Sequence, residues 1–417
     1  MEMRRMRVRA NIPARARQSA FWTSAWLALA LAAVLAGCGA QVGDWQSIST
    51  DSGGPSFGMG AQPASVISLA ADPRIAGLVY IGTDSAGVRR TTADTTGVEA
   101  ANAGMAQGSS VFALTPDPSA SGTVYAGTST GFYRSTDASA SWQARDTGLP
   151  EKEAITAVAA GPNGAPLLAG TMSHGLFLSA NQGASWQPAT GLPADGRVSA
   201  ALWIEGAKTA LVAFAGGHLY VARDDLRQWT QSDAGLPANS DIQALAASPY
   251  QAAIYAGSTQ GLFASEDNGR TWVSVGGGLS AGSVGALASD PRQPNTFYAA
   301  VENRVYVSVD GARIWRSLTA ALDKPARALA VATNRAQTPV TYATTGQLYR
   351  YPAAGGGGSF GPAIILVIAV VVIAALFIRS RRTTRYERQG QVNPEPKTPP
   401  VTDTRSPAER YGDADEM

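Results

Sequence analysis

The chain has little with which to do metal or thiol chemistry. One cysteine, Cys38, stands among 417 residues, so no intrachain disulfide can form. There are two histidines, His174 and His218, with no His-x-x-x-His spacing, which leaves no zinc constellation. A Gly-x-x-x-x-Gly-Lys phosphate loop is absent. Outside the two termini, 19 basic residues stand against 23 acidic ones, the wrong balance for nucleic acid. Nothing implies a cofactor. The composition, 45% hydrophobic, 15% charged and rich in glycine, suits short strands and tight turns.

What is present is a period. Trp142, Trp186, Trp229, Trp272 and Trp315 follow one another at steps of 44, 43, 43 and 43 residues. An interval of about 40–50 residues fits one four-stranded propeller blade. Each unit opens on a short apolar run: Val111-Phe-Ala-Leu, Ile155-Thr-Ala-Val, Val198-Ser-Ala-Ala, Ile242-Gln-Ala-Leu, Val284-Gly-Ala-Leu. A run such as Val124-Tyr-Ala-Gly-Thr follows, then one such as Gly131-Phe-Tyr-Arg-Ser. The fourth begins at the tryptophan, and three units end in Gly-Leu-Pro, at Gly148, Gly191 and Gly235. Four β-rich runs split by Gly, Pro and Asp read as antiparallel strands A to D.

Two further units are less regular. One starts at Val66-Ile-Ser-Leu, with Val98 where its tryptophan should be, which leaves its outer strand in doubt. The last starts near Arg327-Ala-Leu-Ala and stops at Tyr351 without a fourth strand. Asp44-Trp-Gln-Ser at the other end resembles Ser141-Trp-Gln-Ala. The expectation is an all-β, seven-bladed β-propeller over residues 44–351, closed by this N-terminal strand. Closure removes the free sheet edges that invite aggregation.

The turn between strands C and D resembles the Asp-box, or BNR repeat, Ser-x-Asp-x-Gly-x-x-Trp. Ser265, Asp267, Gly269 and Trp272 match it in full. Ser308, Asp310 and Trp315 match with Ala312 for Gly; Ser135, Asp137 and Trp142 match with Ser139 for Gly. Ser179, Gly183 and Trp186 match with Asn181 for Asp, and the fourth unit keeps Asp224 and Trp229. The motif is shared by sialidases, sortilin-type receptors, xyloglucanase-type hydrolases and photosystem II assembly-factor propellers. The resemblance implies an outer-edge folding element far from any active site. Asp and Gly suit a tight turn and Trp supplies a large buried face. A shared fold transfers no activity.

Both ends read as membrane segments. Arg4, Arg5, Arg7, Arg9, Arg15 and Arg17 precede an apolar stretch, the layout of a secretory signal over residues 1–38. It ends in Leu35-Ala-Gly-Cys38, which resembles a bacterial lipobox and implies lipid attachment at Cys38. An uncleaved signal anchor is the alternative. Residues 352–359 read as a flexible linker. Residues 360–378 are uncharged and long enough to span a bilayer core as one transmembrane helix. The arginines from Arg379 onward put the disordered tail, residues 379–417, in the cytoplasm. The propeller is then extracytoplasmic, tethered to the cytoplasmic membrane, with the lipid bilayer as a partner through both ends.

Both tethers leave from the C–D side of the last blade, so the B–C and D–A loops are expected to look outward. Asp84, His174, Asp195, Arg197, His218, Glu302, Arg304 and Asp323 are the candidate binding residues there, with Phe57 and Met59 as a lip. No catalytic set emerges. A sialidase-type site needs an arginine triad, and the spacing of Arg197, Arg304 and Arg327 singles out none. Its Arg-Ile-Pro motif is missing; Asp72-Pro-Arg74-Ile is a superficial echo. Xyloglucanase-type enzymes place paired carboxylates between two propellers, and one is expected here. The reading is a noncatalytic scaffold for a protein or glycan ligand. The alternatives are a sialidase-like glycoside hydrolase and a receptor signalling through the tail.

Overall fold

A computed structural model of the chain describes residues 45–50, 64–224, 226–247 and 253–352. Cys38, Phe57, Met59, the signal segment, the span 360–378 and the tail lie outside them. Among the described residues no helix is long and apolar enough to cross a membrane.

The strands form seven antiparallel sheets of four. From blade one to blade seven, strand A is Val66–Ala71, Val111–Pro116, Ile155–Ala160, Val198–Ile204, Ile242–Ala247, Val284–Ser289 and Ala328–Thr333. These inner strands touch their neighbours all round, blade seven returning to blade one. Closure is made as expected: Gln46–Ile48 pairs with Leu348–Tyr351, Ser47 opposite Tyr349. The Trp45 ring lies 5.6 Å from that of Tyr351. One expectation is corrected. Despite Val98, blade one has its outer strand, Glu99–Ala100, paired with Arg89 and Arg90.

Strand B of every blade except the first residue of the last is buried throughout, as in Val124–Thr128 and Phe297–Val301. Each sheet is packed on both faces by its neighbours, so its second strand reads as a continuous apolar run. The core is therefore seven clusters, one per seam. Six hold the tryptophan of the following blade: Trp142, Trp186, Trp229, Trp272, Trp315 and, partly buried, Trp45. Val98 fills that place in the seventh. Each indole removes on the order of 200 Å² from water, roughly 5 kcal/mol of gross transfer free energy.

Hydrogen bonds fasten the seams as well. The Trp142, Trp186 and Trp272 indoles donate to the carbonyls of Ala101, Arg145 and Ser232 at 2.7–2.8 Å. Their backbone N–H groups donate to Ala103, Thr147 and Ala234. This brings the tryptophan carbonyl down on the Gly of Gly-Leu-Pro. A Cβ on Gly148 would lie 2.3 Å from the Trp186 oxygen, and one on Gly235 2.0 Å from that of Trp272. Near the axis, hydroxyls bridge to the next blade, as from Ser68 to Val111 O at 2.7 Å and Thr156 to Val198 O at 2.7 Å.

The C–D turns explain their own sequence. Ser265 Oγ donates to Asp267 Oδ1 at 2.8 Å and accepts from Gly269 N–H at 2.8 Å. Asp267 also accepts from the N–H groups of Arg270 and Thr271 and from Thr271 Oγ1. Those bonds hold its carboxyl well below the ordinary range, the Thr271 hydroxyl foremost. Ser135 with Asp137, Ser179 with Asn181, and Ser308 with Asp310 repeat the scheme. The fourth turn departs from it. Asp224 itself takes φ 55° and Leu226, at the glycine site, φ 58°. The Asp224 N–H donates to Lys208 O, and Leu226 is buried in the seam.

Gly235→Ala is expected to cost ~3 kcal/mol or more, because a positive φ and a close carbonyl both oppose it. Gly191 also has a positive φ, but nothing lies within 4 Å of its Cβ direction. Gly191→Ala should therefore cost only ~1 kcal/mol. Urea unfolding of the two variants compares them; equal losses would contradict the clasp.

Candidate functional site

Six of the seven inner strands carry a β-bulge at the same place, one residue after the first. The extra residues are Ile67, Phe112, Thr156, Ser199, Gln243 and Gly285. The seventh strand pairs without a shift. A bulge bends its strand and re-aims the side chain, which is why bulges gather at binding sites. Here they sit at the mouth of the ring on the B–C side. Five of them, all but Ile67, line a cavity of about 590 Å³.

Four successive blades set charges on this cavity. Arg197 precedes strand A of blade four, and Asp241 that of blade five. Glu302 lies in the B–C loop of blade six, and Arg327 precedes strand A of blade seven. The order round the mouth is cation, two anions, cation. Met172, 41% exposed, and Phe112 add an apolar side. The carboxylates are partly engaged: Asp241 Oδ1 accepts from Gly216 N–H at 2.7 Å, and Glu302 Oε1 from Ser283 N–H at 3.0 Å. Gln243 Oε1 accepts from Ser283 Oγ at 3.0 Å.

Of the residues the sequence nominates, the structure brings Arg197 and Glu302 into one cavity. The other six lie outside its lining. Asp84 accepts from Ser65 N–H at 2.9 Å and so ties a loop to the first strand. Asp323 accepts from Thr345 Oγ1 at 2.8 Å. Burial opposes its charge, but bonds from Thr345 and Tyr349 outweigh that and hold the carboxyl below its ordinary value. Asp195 is an exposed loop residue, and Arg304, exposed, opens a third strand opposite Val301. Each histidine stands beside a carboxylate. His174 Nδ1 lies 2.9 Å from Glu153 Oε2, and His218 Nδ1 3.7 Å from Asp233 Oδ2. Among the described residues no group of three His, Cys, Asp or Glu side chains is placed to hold a metal ion.

In the sequence reading neither Gln243 nor Met172 is a site residue, Asp241 falls only within an outward-facing D–A loop, and Arg327 enters only for an arginine triad. One signal was available. In the opening tetrapeptides the second position runs Ile67, Phe112, Thr156, Ser199, Gln243, Gly285, while its neighbours are mostly Val, Ile, Ala and Leu. Variation at one column of a constant repeat marks a position that apolar packing does not fix.

No family model matches the chain, and no curated protein matches it. Solved structures do. The GH74 xyloglucanase of Xanthomonas campestris is 19% identical with a TM-score of 0.58, over 76% of this chain and 54% of that one. The GH74 enzyme of Niastella koreensis is 14% identical with a TM-score of 0.55, over 75% of this chain and 54% of that one. The extracellular domain of a one-component system from B. thetaiotaomicron is 15% identical with a TM-score of 0.56, over 74% of this chain and 40% of that one. The chain thus spans about half the length, or less, of the structures it matches. At such identities the likeness is one of fold: the chain is a seven-bladed β-propeller similar to those of glycoside hydrolases and a sensor domain.

Glu153 provides a pH test. It is 8% exposed, and burial alone would raise its pKa. Bonds from Ser173 N–H, Ser173 Oγ and His174 outweigh that and lower it from 4.5. A lowered carboxyl stabilises the fold fully above the unfolded value and loses that contribution as pH falls through the folded one. The melting-temperature gap between the parent and Glu153→Gln should shrink as pH falls below about 4.5.

Proposed function

We propose that this chain is an extracytoplasmic binding scaffold: an Asp-box propeller tethered to the cytoplasmic membrane that holds a protein or glycan ligand at its axial mouth without turnover. The observation that carries the reading is the cavity with its row of bulge residues and the charges Arg197, Asp241, Glu302 and Arg327. Five inner strands spend a bulge on one surface, and four blades supply complementary charges to it. Mixed charge with a small apolar side suits recognition, and a rigid closed ring holds it preorganised. The C–D turn bonding supports the Asp-box reading, and the tether rests on the sequence of residues 1–38 and 360–378.

Hydrolysis is the second reading. It is favoured by the GH74 neighbours and by two carboxylates, Asp241 and Glu302, on one cavity, the elements general acid–base chemistry needs. Against it, each carboxylate already holds a loop amide. A sensor role through the tail has the extracellular-domain neighbour in its favour.

A photo-crosslinking residue at Gln243 in the full-length protein, in its own membrane, tests the scaffold. The expected result is a discrete adduct that the same probe at Asn268, on the opposite side, does not give. Arg197→Ala with Arg327→Ala should reduce it ~10-fold or more, as for loss of charge-assisted contacts. Turnover of xyloglucan or a sialoside that disappears in Glu302→Gln would replace the scaffold by the hydrolase.

A further inference from the structure

Large apolar side chains on the outside of this ring are not scattered. Among the described residues the exposed ones are Met172, Val273, Val309 and Ile314. Met172 lines the axial cavity. The other three gather on the C–D side of two adjacent blades, at 64%, 69% and 59% exposure. Val309 and Ile314 share the C–D turn of blade six, and Val273 follows Trp272 in blade five.

Ile314 breaks the repeat at a cost. In blades two, three and five the residue before the tryptophan is Ser141, Ser185 or Thr271. Its hydroxyl bonds to the side chain of Asp137, Asn181 or Asp267. Blade six gives up that bond and shows a branched aliphatic group to the exterior. The Asp310 carboxylate is left with the N–H groups of Arg313 and Ile314 and the hydroxyl of Ser308. A local rule broken without a packing gain marks a surface kept for something else. Exposed Arg313 and Arg316 flank Ile314, and exposed Arg270 lies beside Val273.

Where the chain goes next names the occupant. Blade seven, beside blade six, holds both described ends, Trp45 and Tyr351, on this same side. Eight residues, 352–359, then separate Tyr351 from the apolar run 360–378. Eight residues reach about 28 Å at full stretch and about 15 Å as a Gly-rich coil. The anchored end of blade seven, next to blade six, is held within that reach of any bilayer the run enters. Aliphatic side chains interleaved with arginines suit a lipid surface, and Glu266 and Asp310, exposed on the same turns, are the opposing charges there.

We propose that Val273, Val309 and Ile314, with Arg270, Arg313 and Arg316, form a docking surface for the anionic phospholipid bilayer to which the chain is tethered. The inference rests on the tethered reading above. Contact on the C–D side leaves the axial cavity, on the B–C side, open.

The test uses the full-length chain in vesicles of phosphatidylcholine with phosphatidylglycerol. An environment-sensitive fluorophore goes on Val309→Cys, Ile314→Cys or, on the opposite side, Ser129→Cys; the parent chain corrects for label on Cys38. Nitroxide lipid headgroups should quench the label at 309 and 314 several-fold more than at 129, and less once phosphatidylglycerol is omitted. In Arg313→Glu with Arg316→Glu that excess should fall while the protein stays in the vesicles. Retention after an alkaline wash with equal quenching at all three sites overturns the docking surface alone. Loss of the protein in that wash overturns the tether and the docking surface with it. Self-quenching that grows with protein density, without lipid quenching, assigns the patch to a second copy of the chain.

Discussion

The seam between blades is the constraint on which the rest depends. No blade owns a core: each buried cluster is assembled from two sheets, and the tryptophan of one blade lies against the outer strand of the one before. At Trp186 and Trp272 the fit is tight enough that a glycine must lie beneath the tryptophan's backbone carbonyl. A unit so built cannot fold by itself, and a row of them leaves two open faces. Joining Gln46–Ile48 to the last sheet covers both. Folding is thus bound to ring closure, and ring closure brings seven inner strands to one axis. The mouth where a ligand would lie is a by-product of that closure.

Features that repeat were legible in the sequence; features that converge were not. The tryptophan period, the four runs per unit and the match between Trp45 and Trp142 are local patterns, and each led to the sheet it implied. Val98 was read as a defect because a valine does not look like an indole. In the ring it fills the same slot against Val79 and Tyr342. Charged loop residues fared worse. Asp84 and Asp323, candidate binding residues in the sequence, and Glu153 each hold a hydroxyl or a backbone N–H of a neighbouring segment. A carboxylate bonded to an amide some 20 residues away leaves no trace in composition or spacing. The cavity drew Arg197 and Glu302 together with Asp241 and Arg327, a grouping that depends on ring geometry alone.

The fourth blade shows what the clasp requires by lacking it. Its opening strand is the longest of the inner set, Val198–Ile204, and its C–D turn has no serine to bond the aspartate. Leu226 takes the glycine site and fills the seam with its side chain. The Trp229 indole N–H is buried without a partner among the described residues, and nothing presses on Gly191. Apolar filling has replaced the indole's hydrogen bond at this joint. Arg197, at the edge of the axial cavity, is carried by the same blade.

The two sides of the ring divide their residues in opposite ways. On the C–D side Ser, Asp and Thr are consumed in turn geometry, so a substitution there removes a hydrogen bond from the scaffold. On the B–C side the bulge residue of the six bulged inner strands varies from Ile67 to Gly285, although Thr156 and Ser199 bond through their hydroxyls to the next blade. A repeat protein can evolve a binding surface where its column varies. A departure in a busy column, such as Ile314, carries an energetic cost in the turn and so demands a return elsewhere. That asymmetry makes one apolar side chain on the C–D side a stronger signal than several polar ones at the mouth.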